Sequence, residues 1–214
     1  LWKRIWQSDL AAGISILAVT QFGASVMGLL RNRLLNQVFS DRLDVVDTYI
    51  AAFRPSDLLF QACIMSAMGT VLVPILAAYK AKEDKEELRK VLHGTTNLAA
   101  LIFGSIALAL AILFPWLAPL FTKFQGEQLQ LYIHFGQLAL LVNFLFVFGS
   151  AYGQYLITVQ RFWIYGITPI LYTLGTILGV LLLVKPFGVY GPMAGTLLGV
   201  TVYVFLRALA VARS

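Results

Sequence analysis

The sequence predicts an all-α integral membrane protein, built as a bundle of six transmembrane helices. Three observations predict it. Apolar residues make up 59% of the chain and charged residues only 12%, with a mean hydropathy of +0.81. A soluble domain carries about 25% charged residues, and a water-soluble fold of 214 residues could not hide so much apolar surface. The apolar residues also fall in long continuous runs, not in the period-two alternation of a membrane β-barrel.

Residues 1–8, "LWKRIWQS", read as an interfacial segment. Trp2 and Trp6 stand four apart on one helical face, and Lys3 and Arg4 can meet headgroups. An ordinary flanking anchor for the first helix fits the same residues. The remaining chain, 9–214, reads as the six-helix transmembrane bundle.

Helix one is expected over 9–32. Its apolar run from Leu10 to Leu30 covers the roughly 30 Å of hydrocarbon at about 1.5 Å per residue and is too long for a signal-peptide core. Gln21, Ser25, Gly28 and Asn32 fall at i, i+4, i+7 and i+11, one polar or small face with Arg31 at its end.

Helix two is expected over 45–79, and its entrance is unusual. "DTYIAAFRPSDLLF" sets Asp47, Arg54 and Asp57 within one broad helical stripe, just before the uncharged run "QACIMSAMGTVLVPILAAY". Pro55 cannot donate to the carbonyl of Ala51, so a bend or restart is expected there. An ionised side chain deep in lipid costs at least about 2.5–3.5 kcal/mol. The stripe therefore faces other helices or a wet cavity, or else lies beyond the bilayer if the helix protrudes. Asp47 and Asp57 are candidates to respond to protons, but a plain ion pair with Arg54 is the expected resting state. Cys63, the one cysteine, reads as a small buried hydrophobe.

"KAKEDKEELRK" reads as a solvated turn leading to helix three, over 92–117. Helix four, over 129–158, carries Gly136, Asn143, Ser150 and Gln154 in a register like that of helix one; these polar faces suggest a shared cavity, while hydrogen bonds across helices alone are the other reading of Asn143 and Gln21. Helices five (162–184) and six (190–211) carry Gly175, Gly179, Gly191, Gly195 and Gly199. With Ala24 and Gly28 these are small residues at helix-contact spacing, where close backbone approach supplies packing energy in lipid.

Basic residues in the connections set the orientation. Lys3, Arg4, Lys80, Lys82, Lys85, Arg89, Lys90, Arg161, Arg207 and Arg213 fall on one side. Arg31, Arg33, Arg42, Lys123 and Lys185 fall on the other, ten against five. Both termini are expected in the cytoplasm. The scattered charge argues against nucleic acid as a partner and suits contact with membrane lipids. His93 and His134 stand alone, without paired carboxylates or metal-ligand spacing, and no glycine-rich phosphate loop is present. No enzyme, metal or cofactor is expected.

Three stretches carry a resemblance. "SVMGLLRNRLLNQVFS", "DTYIAAFRPSDLLF" and "MGTVLVPILAAYK" resemble, in order and spacing, the opening of the MurJ/MviN-like family of the multidrug/oligosaccharidyl-lipid/polysaccharide exporter superfamily. The matched features are Gly28-x-x-Arg31, Asp47 followed by Ala52-Phe53-Arg54, and Val73 to Lys80. Beyond Lys80 the likeness is mainly in helix number and orientation. The resemblance implies one lobe of a two-lobed transporter fold in the bacterial inner membrane, translocating a lipid-linked cell-wall precursor such as lipid II by alternating access. A second six-helix lobe, on the same longer chain or on a partner chain, is then expected.

The resemblance also implies roles. Arg31 and Arg54 become basic positions of a cavity for an anionic lipid-linked substrate, and Asp47 an acidic position near its outer mouth. Asp57, Gln21 and Ser25 join them as candidate substrate-binding residues. Two further basic positions of the family pattern carry Ser25 and Phe60 here, and an acidic one Met65. A polysaccharide-repeat or drug exporter of the same superfamily fits that thinner positive charge, and a non-transporting docking subunit is the alternative from another class.

Overall fold

The computed structural model of the chain describes residues 2–65, 68–81 and 85–214, with the side chains of 2–12, 14 and 85 left out. The interfacial reading of residues 1–8 rests on side chains outside the described residues. Every regular element among the described residues is helical. Helix α1 covers Trp2–Val38, α2 Leu43–Phe60, α3 Val73–Ala81, α4 Lys85–Phe121 and α5 Gly126–Thr158. Helix α6 covers Phe162–Leu178, α7 Val184–Phe187 and α8 Gly191–Ala212.

Four stretches of the described chain are long and apolar enough to cross a membrane: Leu43–Ala81, Glu86–Phe121, Gly126–Thr158 and Phe162–Ala212. The last has 51 residues, about 75 Å of helix against roughly 30 Å of hydrocarbon. It turns back at Gly188, whose φ of +55° is open to glycine and strained for other residues. Helices α6 and α8 consequently lie side by side.

Helix ends overrun the expected spans. Helix α1 continues to Val38 and α4 begins at Lys85, because hydropathy marks the hydrocarbon crossing while backbone hydrogen bonding continues past it. Part of the charged run expected as a turn is thus the first turn of α4. There Glu86 and Glu87 lie at the positive end of the helix dipole and pair with Lys90 at 2.9 and 3.1 Å. Residues 82–84 lie outside the described set.

Pro55 does not restart helix two. Helix α2 runs through it to Phe60, and α-geometry gives way later, to π-helical turns at Gln61–Met65 and Met68–Leu72. Such turns are a common response to a disturbed hydrogen-bond ladder.

Helix α5 is the central rod, buried along most of its circumference at Phe135, Ala139, Val142, Val147 and Gly153, with Leu141 on its exposed side. It packs against α2, α4 and α8, while α1 packs on α6. The expected glycine contacts form between α6 and α8, where Gly175, Gly179, Gly195 and Gly199 bring the backbones together so closely that a methyl group on Gly195 would collide with Gly175 and Gly179. Gly28 differs. A Cβ there would meet nothing within 4 Å, so this face of α1 contacts no helix of the described chain. Gly136 also departs from the expected polar face, since it accommodates the Phe114 ring of α4.

Arg207 corrects a second expectation. It is not a flanking cation at the membrane surface but is 2% exposed. Its Nε donates to Thr168 Oγ1 at 2.8 Å, and its Nη atoms donate to Gly149 O at 2.7 Å, Tyr165 O at 3.0 Å and the Tyr203 hydroxyl. The guanidinium carbon also lies 4.7 and 4.3 Å from the Tyr165 and Tyr203 ring centroids. Oriented dipoles and ring faces take the place of a carboxylate.

Candidate functional site

Two interactions set the floor of the site. Asn143, on the central α5, donates from its amide nitrogen to Ser56 Oγ and to Asp57 Oδ1, both at 2.8 Å, pinning α2 to α5. Tyr49 of α2 shares a hydrogen bond of 2.8 Å with Thr196 of α8, which shares another of 2.8 Å with Thr176 of α6. The chain between α1 and α2 is compact, with Leu35 and Phe39 buried and Arg42 N donating to Phe39 O at 2.9 Å. On the turn itself Arg42 holds Asp44 at 3.1 Å and reaches Glu127 of α5 at 3.7 Å. These exposed pairs are screened by solvent and contribute little individually. They tie the α1–α2 corner to the start of α5.

Above that floor lies a cavity of about 290 Å³ lined by Arg31, Tyr49, Ile50, Phe53, Arg54, Asp57, Phe146 and Tyr172. Helices α1, α2, α5 and α6 each contribute a wall. Arg31 is steadied by its neighbour Asn32, whose Oδ1 accepts from Nε and Nη2 at 3.2 and 3.1 Å. Arg54 forms no hydrogen bond or ion pair with any described residue, so the expected ion pair with Asp47 or Asp57 is not formed. Asp57 is held by Asn143 instead, since the α2–α5 contact draws the carboxylate inwards while Arg54 stays exposed.

The six sequence candidates therefore separate into two groups. Arg31, Arg54 and Asp57, from two different helices, share one hollow. Asp47 is exposed on α2, about two helical turns before Arg54, and does not line it. Gln21 and Ser25 are exposed on α1, where Ser25 Oγ donates to Gln21 O at 3.0 Å. They share the open face that carries Gly28. The aromatic wall of Tyr49, Phe53, Phe146 and Tyr172 has no signature in sequence, because its four rings lie on three helices.

A larger hollow of about 640 Å³ lies between α4 and α5, lined mostly by Ala, Leu, Gly104 and Phe144, with Asn97, Ser105 and Gln137 as its polar members. Its lining carries no ionisable side chain, whereas the smaller cavity presents the charges that a charged ligand needs.

Long apolar helices enclosing a charged hollow define a membrane transport protein of the helical-bundle class. The particular family follows from comparison: the family model described as "MurJ: Lipid II flippase MurJ" matches residues 36–213, and the chain belongs to that family. The resemblance seen in the first helices is thereby supported, and the match runs through the later helices where the sequence likeness is thin. Its boundary takes in Asp47, Arg54, Asp57 and Asn143 and begins just after Arg31. The family consists of inner-membrane flippases of peptidoglycan biosynthesis, so this is a transport-family protein and not an enzyme.

Proposed function

We propose that the chain forms one lobe of a flippase that moves a lipid-linked cell-wall precursor, lipid II in the family's case, by alternating access. The eight α-helical segments then make six spans: α1, α2 with α3, α4, α5, α6 with α7, and α8. Both termini face the cytoplasm. The open face of α1, with Gln21, Ser25 and Gly28, turns towards a second six-helix lobe. Asp47 lies nearer the outer mouth.

The observation that carries this reading is that Arg31 and Arg54 border one hollow with no carboxylate of a described residue paired to either. Guanidinium groups grip phosphate oxygens through paired hydrogen bonds. At an effective dielectric of about 20 a charge pair 4 Å apart attracts by roughly 4 kcal/mol, which is ample to hold a pyrophosphate. Release requires that the opposite-facing state bind it less tightly, for a carrier turns over only if the two states differ in affinity.

Lipid translocation by the full-length protein in proteoliposomes is the test. Arg31→Ala with Arg54→Ala should abolish flipping of lipid II while leaving the protein folded and inserted. Undiminished flipping by that double variant would shift the assignment to a docking subunit or to an exporter of uncharged cargo.

A further inference from the structure

We propose that Arg207 is a positioning residue for the charged cavity: it does not line the hollow, and it acts through Tyr203, which supports the aromatic wall. This rests on the transport reading above and assigns a role to a buried cation that reading leaves unused.

A guanidinium 2% exposed within the apolar stretch Phe162–Ala212 is expensive. Cohesion alone does not call for it, since well-packed apolar side chains serve at least as well as buried charges. What a guanidinium adds is direction. The Arg207 Nη1 atom donates to the Tyr203 hydroxyl, while the guanidinium carbon stands 4.3 Å from the centre of the same ring. Tyr203 is thus held both at its tip and on its face. Helix α5 supplies the seat. A Cβ on Gly149 would lie 2.1 Å from the Tyr203 ring, and the Gly149 carbonyl accepts from Arg207 Nη1 at 2.7 Å.

The same ring bears on the cavity wall. Tyr203 meets Phe146 edge to face, 5.2 Å between centroids at 66°, and Phe146 meets Tyr172 at 5.0 Å and 70°. Phe146 and Tyr172 line the hollow. With Phe53, a third lining ring, they pack on a small buried cluster of Val142, Val200 and Tyr203 that is separate from the main core. Edge-to-face contacts favour particular ring angles, so each ring takes its setting from the one before. The relay runs from Arg207 and Tyr203 on α8 through Phe146 on α5 to Tyr172 on α6, and ends at the wall of the hollow that Arg31 and Arg54 border. Cutting the tether frees the Tyr203 ring and loosens that wall, and a misplacement of about 1 Å in a site can cost on the order of 100-fold.

The test uses the full-length protein and two readouts. Lipid II flipping in proteoliposomes is measured against lipid II content, and para-fluorophenylalanine placed at Phe146 is followed by fluorine NMR in nanodiscs. Tyr203→Phe keeps the ring and removes the hydroxyl that Arg207 holds. It should raise the half-saturating lipid II content about fivefold to tenfold, leave the maximal rate per folded molecule near that of the wild type, and broaden or split the fluorine resonance. Arg207→Lys keeps the charge without the planar fork and should act in the same direction. Gln137→Leu weakens an α4–α5 contact at the other hollow. It should lower stability with neither change, which separates positioning from a general loss of fold. The proposal requires both changes together, and either one missing in both variants overturns it. Should Arg207→Lys fail to fold, Tyr203→Phe still decides. A wild type that flips no lipid II overturns the transport reading instead, and the fluorine signal by itself then decides whether Arg207 sets the ring.

Discussion

The Arg207 Nη2 group donates to the Tyr165 carbonyl at 3.0 Å, and that carbonyl is available because Pro169, four residues on in α6, has no N–H to offer it. A break in one helix thus becomes an anchoring point for another. Thr168 Oγ1 donates to the same oxygen at 3.1 Å and accepts from Arg207 Nε. Gly153 of α5 leaves room for the guanidinium, since a Cβ there would clash with it.

Arg207→Ala should therefore lower the unfolding midpoint in detergent, at a cost of about 2–4 kcal/mol for the acceptors it strands. In a Pro169→Ala background the loss should shrink by roughly 0.5–1 kcal/mol, because the Tyr165 carbonyl regains its helical donor. Strictly additive effects in this double-mutant cycle would contradict the proposed link.

The same device occurs in α4. Pro115 leaves the Ala111 carbonyl without its helical donor, and Gln137 Nε2 of α5 donates to that oxygen at 3.0 Å. Gln137→Leu should destabilise the fold by about 0.6–1.7 kcal/mol, the range for interhelical hydrogen bonds in membranes. Pro115→Ala should reduce that penalty, as measured by thermal unfolding of the four combinations.

Glycines of the bundle should respond unequally to alanine. Gly195→Ala drives a methyl group into the backbone of Gly175 and Gly179. Neither backbone of that contact can yield without separating α6 from α8, so a loss of more than about 2 kcal/mol is expected. Gly28→Ala has open space before it and should hold or slightly raise the melting temperature of the bundle, since alanine is the better helix former by about 0.5–1 kcal/mol. If the α1 face meets a second lobe, the same substitution should slow transport without lowering stability.

Orientation is open to direct labelling. In a Cys63→Ala background, a membrane-impermeant maleimide added outside intact cells should modify Lys123→Cys, on the α4–α5 connection. It should spare Ser214→Cys until the membrane is permeabilised. The reverse pattern would invert the proposed topology.

The class of the protein was legible from composition, and the long helices from their unbroken apolar runs. Arg54 stood out because a cation in a membrane span is expensive and needs a reason, and Arg31 through the family resemblance. Arg207 was misread as a surface flank for a related reason. It lies near the end of its span, and hydropathy cannot tell a side chain turned towards headgroups from one folded back among three helices. An ion pair of Arg54 with Asp47 or Asp57 was expected from their common helical stripe, which records neighbours along one helix and is blind to Asn143 arriving from another.

Sequence by itself determined what each segment must avoid: apolar runs must leave water, and buried charges and proline-freed carbonyls must find partners. These are local demands, set by solvation and by the covalent chain. Tertiary structure alone decided which partners they found, bringing Asn143 to Asp57, Arg207 to Tyr165 and four aromatic rings to the edge of Arg31 and Arg54. Several helices can meet any one such demand, and only close packing, with glycines where backbones touch, selects among them.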